Sequence, residues 1–389
     1  MNKHADISSN QGKQSKKYPL LPYSQLVFNM LKTNSDVYWT CFTVRLDKQK
    51  TDIQRFKESI EICLRNHPIA LMHVDDDGMQ YYEDREDILH GQYYSVCFRN
   101  ENDAAYIDVA INRMIGDAVS LNILFEDVFQ AYSGKILQPD FYLEYLDYIE
   151  RQKALPRYLE NRHWLESQFG NLQCDVRPQT DVPINIAEPL IEGLLTDDYT
   201  EYRESLISIG SEQLISVTAF FSLCAALAIM DYNGTDEAAL TWAYDARETE
   251  KEQYIVGSLH RDVPFKLKVE SGQLKDDLFR QTRNQMRSGI AHSSYPFTLT
   301  KPYSDIWDYA VNVIPQPAMG ELLKSAPFEF DVIAPKTKEP NPAYSMLDIE
   351  IYDEERLTIV YRYSATHYKQ ESIRRFADLV KQNAIKLLQ

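Results

Sequence analysis

Leu214–Met230 is the longest apolar run in this 389-residue chain, interrupted only by Ser216, Thr218 and Ser222. A helix that is apolar on every face must be covered on every face. At about 17 residues the run lies near the lower limit for a membrane span. Asp231-Tyr232-Asn233 and then Gly234 follow it, as at a helix C-terminus where glycine takes the left-handed turn. The run is expected to be a buried core helix, so the fold must pack other elements around it. A chain of this length exceeds one ordinary core and is expected to form two domains.

On either side of the run, strand and helix patterns alternate. Val37–Leu46 is β-branched and aromatic, as a strand requires. Thr51–His67 carries Ile53, Phe56, Ile60, Cys63 and Leu64 at helical spacing. Strands are expected near Ala70–Val74, Gly91–Phe98 and Ala105–Ile111, then helices over Ser120–Ser133, Phe141–Lys153 and Arg157–Phe169. The polar stretch Asn171–Asn185, with Pro178 and Pro183, reads as a linker. Beyond it a strand is expected near Glu201–Ile209, then the core helix, then strands near Ala238–Tyr244 and Leu259–Val269. A helix near Leu274–Gly289 and strands near Ala310–Ile314, Phe328–Ile333, Ser345–Ile351 and Leu357–Tyr363 lead to a last helix over Lys369–Leu388. The expected fold class is α/β (α+β, mixed sheets). The divisions are a lead-in over 1–17, an N-terminal lobe over 18–175 and a C-terminal lobe over 176–389.

With 41 basic and 58 acidic residues the formal charge is −17. Nucleic acid and anionic membranes both call for phosphate-neutralising cations, so such a surface argues against either partner. Cys41, Cys63, Cys97, Cys174 and Cys224 are widely spaced, with no C-x-x-C pair. Buried, reduced thiols of a cytoplasmic protein are expected, with no metal site. Met1–Lys17 is polar and basic and lacks an apolar h-region, so it reads as a disordered lead-in or interaction tail. No glycine-rich phosphate loop appears.

Chemistry concentrates in Ile111-Asn112-Arg113-Met114-Ile115-Gly116-Asp117-Ala118, lying between an expected strand and an expected helix. Its spacing resembles the His-His-x-x-x-Asp-Gly loop of nonribosomal-peptide condensation domains. Asp117 is kept, Asn112 and Arg113 stand at the two histidines, and Ala118 stands at the glycine. Other stretches resemble the same family in the same order: Tyr18–Gln25, Leu64–His67, Tyr142–Trp164, Val217–Gly234, Thr241–Arg247, Tyr254–Pro264 and Tyr361–His367. Arg261 departs from the pattern, replacing a usual Asn. The resemblance implies two chloramphenicol-acetyltransferase-like lobes in a V-shaped pseudodimer, with a tunnel between them that carrier-bound substrates enter from opposite faces. The family's second His is the residue expected to handle a proton. An Arg keeps its own proton at any working pH, and an Asn side chain does not titrate. Offshoots of the family also carry Arg at that position, and one recruits haem oxygenases to carrier-bound peptides.

The resemblance further implies that Asp117 pairs with Arg247 as a structural ion pair. Arg113 is either a plug that narrows the channel or a fixed cation for a carboxylate or oxyanion. Arg280, Arg283 and Arg287 share a helix face. They either meet the acidic surface or phosphopantetheine phosphate of a carrier protein, or form a solvated face paired with local acids such as Asp276 and Asp277. His67 is expected to pack at a helix end. His260 with Asp262, and His292 with Ser293 and Ser294, read as chance neighbours. Two functions follow. The first is a catalytically degenerate condensation-like module that binds an acyl or peptidyl carrier protein or recruits a tailoring enzyme. The second is an active acyl or aminoacyl transferase working by proximity. No cofactor is expected to be bound; the phosphopantetheine arm or coenzyme A serves as the substrate's handle.

Overall fold

The structure is a computed structural model that describes residues 16–32, 38–170, 172–185, 190–295, 310–333 and 345–389. In the first half, β1 (Lys17–Pro19) and α1 (Pro22–Leu31) precede β2 (Trp39–Asp47), α2 (Ile53–Asn66), β3 (Met72–Val74) and β4 (Met79–Tyr82). There follow β5 (Tyr94–Asn100), β6 (Ala104–Asn112), α3 (Ala118–Tyr132), α4 (Tyr142–Lys153) and α5 (Pro156–Phe169). The second half opens with β7 (Glu192–Asp198), α6 (Arg203–Gln213), α7 (Val217–Asn233), β8 (Glu237–Asp245), β9 (His260–Lys268) and α8 (Lys275–His292). It closes with β10 (Val311–Gln316), α9 (Gly320–Lys324), β11 (Phe330–Ile333), β12 (Leu347–Asp353), β13 (Leu357–Ser364) and α10 (Gln370–Leu388).

Helix α7 is the apolar run. Ser216 caps its start by accepting a hydrogen bond from the Ala219 amide at 3.1 Å, and Gly234 ends it at φ 75°. A six-stranded sheet, β7-β13-β12-β10-β8-β9, packs against it together with α8 and α10. Among the described residues no single helix is long and apolar enough to cross a membrane. The bent pair 200–213 plus 217–233 has the required length and composition, and α7 is spent on this core.

One expectation fails here. Residues 203–213 are helical, not the strand expected near Glu201–Ile209. Leu206 and Ile209, three residues apart, both face the core, so helical spacing prevails over the local cluster of β-branched residues. The strand of this region is instead β7, pairing with β13 from Thr358↔Asp198 to Ser364↔Glu192.

In the first half, β2, β6 and β5 form an antiparallel sheet covered by α2 and α3. Its fourth strand is β11, from within the span assigned to the C-terminal lobe. It pairs with β2 from Phe330↔Leu46 to Ile333↔Thr43. Phe328 packs edge-on against Phe56 and Phe129, at 5.1 and 5.4 Å between ring centroids. A few residues of the second half thus complete the first half's core, a long-range pairing that no local pattern announces. The stretch read as a linker is docked: Asp175 bridges to Ala238, and Asp181 accepts from the Lys369 amide at 2.8 Å. Of the lead-in expected over 1–17, residues 1–15 lie outside the described residues, whereas Lys17 belongs to β1 and pairs with Tyr81. All five cysteines are free; Cys63 and Cys224 are buried, but Cys41 and Cys97 are exposed, contrary to expectation.

Candidate functional site: the cleft at the motif loop

Strand β6 ends at Asn112 and α3 begins at Ala118, so the motif is a tight strand-to-helix connection. Asn112 is fully buried, and its side-chain oxygen accepts from the Met114 amide at 3.0 Å. The position of the first histidine has become a brace of the loop's own backbone. Ser24 of α1 donates to the Met114 carbonyl at 2.7 Å, and the Ser258 hydroxyl donates to the Arg113 carbonyl. Elements from both halves therefore hold the loop.

Asp117 is the N-cap of α3. Its carboxylate accepts from the Ser120 amide at 2.9 Å and the Ser120 hydroxyl at 2.8 Å. A side-chain oxygen at this position satisfies a helix amide that otherwise lacks a partner. The same carboxylate meets Arg247, just beyond β8, in a two-point contact: Nη1 to Oδ2 and Nη2 to Oδ1 are both 3.0 Å. The amides of Leu259 and His260 add bonds to Oδ2 at 3.0 and 3.3 Å. Burial pushes the Asp117 carboxyl up, but Arg247 outweighs it and holds the group below its ordinary range. Every lone pair is engaged, so Asp117 is a fixed anion and no proton acceptor. Arg247 donates also to the Ile255 and Gly257 carbonyls at 3.0 Å each and to Asp245 at 2.8 Å.

Arg113 lines a cavity of about 380 Å³ between the halves. Across it stand Asp348 and Glu350 of β12, Arg362 of β13 and Asn312 of β10. Arg113 is exposed to the cavity; its partial desolvation there lowers its pKa, but Tyr23, Tyr38 and Asp348 outweigh this and raise it, so it stays a permanent cation. Asp348 is buried, and desolvation lifts its carboxyl to about 7, with Glu350 adding to the rise and Ser345, Arg113 and Arg362 opposing it. Glu350 itself is held by Arg362 at 3.3 Å.

A second cavity of about 240 Å³, lined by Tyr145, Tyr148, Arg261 and Tyr295, adjoins the first. Tyr23, His260 and Asp262 line both. At this junction the Tyr23 ring meets the His260 ring edge-on, at 4.0 Å between centroids and 62°. In the sequence His260 reads with Asp262 only as a chance neighbour; the contact with Tyr23, 237 positions earlier, is made by the fold.

The three arginines of α8 are placed differently from one another. Arg280 is exposed and pairs with Asp277 at 2.6 Å. Arg283 turns inward and donates to the Gln213 carbonyl at the end of α6. Arg287 is exposed. His67 is not a simple packing residue. Its Nδ1 lies 2.7 Å from Asp140 and its Nε2 3.0 Å from Asp127, all three buried. Burial lowers the His67 pKa, but the two carboxylates outweigh it and raise the value well above 6.5. Cys63 joins His67 and Asp127 within 4.8 Å, and both imidazole nitrogens of His67 are taken by the two aspartates. His292 stacks on Trp164 at 4.2 Å, and its Nδ1 contacts the Ser288 carbonyl at 2.7 Å.

The sequence matches the family model described as Condensation domain over residues 93–389. Bacitracin synthase 1 of Bacillus licheniformis is 23% identical over 288 residues, 69% of this chain. Tyrocidine synthase 2 of Brevibacillus parabrevis is 21% identical over 196 residues, 48% of this chain. The chain spans 5% of the length of each. Among solved structures, the epimerization domain from the third module of tyrocidine synthetase B superposes with a TM-score of 0.76 at 16% identity, covering 98% of this chain and 99% of that one. The X-domain from teicoplanin biosynthesis gives 0.75 at 12%, with 97% of both chains covered. A PapA2 acyl transferase gives 0.74 at 16%, covering 96% and 93%. At these identities the structural likeness concerns the fold, and the mixed α/β, two-lobed arrangement expected from the motif order is the fold in question.

Proposed function

The chain belongs to the condensation-domain family, and from that premise we propose that its inter-lobe cleft receives an acyl or peptidyl group carried on a phosphopantetheine arm. The motif loop serves as a fixed joint between the lobes and does not itself move a proton. One observation carries this reading. The Asp117 carboxylate is wholly committed to Arg247, Ser120 and the amides of Leu259 and His260, yet a cavity of about 380 Å³ remains beside Arg113. The frame around the substrate's place is kept while the family's base is gone.

In this role the protein is a binding or recruiting module for carrier-borne intermediates. The exposed Arg280 and Arg287 are the candidates for contact with an acidic carrier surface, where complementary charge speeds encounter and sets register. Arg283, turned to the Gln213 carbonyl, supports the helix they stand on. A peptidyl carrier protein bearing an amide-linked octanoyl-phosphopantetheine arm, which cannot be cleaved, tests the reading by calorimetry. Binding that requires the arm, and that weakens when Arg280 and Arg287 are both changed to Glu, is the expected result. Equal binding with and without the arm, or no binding, would remove it.

A second reading, acyl transfer, is favoured by the adjoining cavities that meet at Tyr23 and His260. Two substrates approaching from opposite sides would meet there, and orientation alone can supply roughly 7–11 kcal/mol of a reaction barrier. Arg113 would then hold the oxyanion of the attacked thioester. Intact mass spectrometry of two loaded carrier proteins incubated with the protein detects such transfer directly.

A further inference from the structure

His260 stands at the first position of β9, where the second lobe reaches the motif loop. Its backbone amide donates to Asp117 Oδ2 at 3.3 Å, so the ion pair that joins the lobes also sets the place of this imidazole. The ring borders both cavities and touches Tyr23 between them. Nδ1 is turned into the protein, where it has no hydrogen-bond partner among the described residues. The ring is half-buried and lines both cavities.

Other histidines of the fold are spent differently. Both nitrogens of His67 are bound to aspartates, Nδ1 of His292 contacts the Ser288 carbonyl, and Nδ1 of His367 contacts the Ser364 hydroxyl. A buried polar atom left without a partner calls for an explanation, a catalytic role or an ordered water among them, and the buried Nε2 of His367 shares that condition. Asp262, two positions along the strand and hence on the same face, lies beside His260. Burial pushes its carboxyl up and His260 pulls it back. A neutral imidazole with its proton on Nδ1 presents Nε2 as an acceptor, and imidazole is the side chain suited to proton transfer near neutral pH.

We propose that His260, from the second lobe, is the proton acceptor of an acyl transfer in this cleft, doing from that lobe what Arg113 cannot do from the motif loop. The inference rests on the reading that the cleft receives a thioester-borne acyl group. The acceptor is a primary amine. Its nitrogen bonds to the thioester carbonyl carbon and the C–S bond breaks. The proton lost by the nitrogen passes to His260 Nε2 and then to the departing sulfur, leaving an amide and a free thiol. Arg113 faces the same space as a fixed cation for the carbonyl oxygen.

The test uses the full chain with the octanoyl thioester of N-acetylcysteamine and glycinamide. Octanoyl-glycinamide is followed by mass spectrometry in the wild type, His260→Gln and His260→Ala. The expected result is a wild-type rate about 10²-fold above His260→Gln, the usual worth of a general base, with partial recovery of His260→Ala by added imidazole. That recovery is readable even where the glutamine variant melts early. Equal rates in wild type and His260→Gln, including rates no faster than buffer, overturn the proposal. Binding of the uncleavable octanoyl carrier separates the two readings. Retained binding with equal rates removes only the role of His260, whereas absent binding removes the cleft reading and the proposal together.

Discussion

Asp117 and Arg247 close the two lobes with a two-point ion pair, Nη1–Oδ2 and Nη2–Oδ1 both at 3.0 Å, although 130 positions separate them in the chain. The guanidinium is fully buried and the carboxylate nearly so. Removing one partner strands the other in a medium where a lone charge is costly. Asp117→Ala is therefore expected to lose about 3–5 kcal/mol of stability, and also the cap of α3. Urea unfolding measures it; a loss below about 1 kcal/mol, within the range of an exposed pair, would show that the joint does not hold the lobes.

Gly257 provides a second check on that joint. Its carbonyl accepts from Arg247 and its amide donates to the Ser120 hydroxyl at 3.0 Å. A Cβ there would lie 2.8 Å from Leu259 Cδ1 and 3.0 Å from Tyr142 Cε2. Gly257→Ala is expected to cost about 1–3 kcal/mol by overpacking, and thermal melting compares it with wild type. An unchanged Tm would mean the segment yields freely.

His67 bridges Asp140 and Asp127, with its pKa raised well above the ordinary 6.5 by the two carboxylates against the opposing effect of burial. A basic group whose folded value is raised adds stability that is complete below about 6.5 and is lost as pH rises through the folded value. The stability advantage of wild type over His67→Gln should therefore be largest at mildly acidic pH and shrink in alkaline solution. Denaturant titrations at several pH values read this directly, and an advantage that grew with pH would contradict the charged bridge.

Asp348 has the opposite chemistry and the same sign of pH dependence. Desolvation lifts it from 3.8 to about 7. Between those values the folded state holds a proton that the unfolded chain has released, so stability from this group falls as pH rises from about 4 to about 7 and is level above. Such a shift is worth on the order of a few kcal/mol. Asp348→Asn should gain on wild type across that window. A difference independent of pH would show that Arg113 and Arg362 already keep Asp348 ionised.

Much of the architecture was legible because the forces behind it are local. The apolar run became α7 because no partial burial satisfies it, and the stripe of Phe56, Ile60 and Leu64 became the inner face of α2. The strand expected near Glu201–Ile209 was lost to α6 because Leu206 and Ile209 answer to a core built largely by β-strands far along the chain. The crossing of β11 into the first half's sheet escaped notice for a related reason: its register is set by Leu46 and Thr43, some 290 positions away.

The motif loop divides in the same way. From residue types alone it follows that Arg113 cannot serve as a base and that the Asn112 amide does not titrate at working pH, since these are properties of the side chains themselves. Only the tertiary structure decided that Asn112 is a buried brace, that Asp117 has no lone pair to spare, and that His260 and Asp348 line the same cleft as Arg113. Ionisation chemistry belongs to a residue wherever it stands, whereas burial, pairing and access to a substrate arise only when distant segments are brought together.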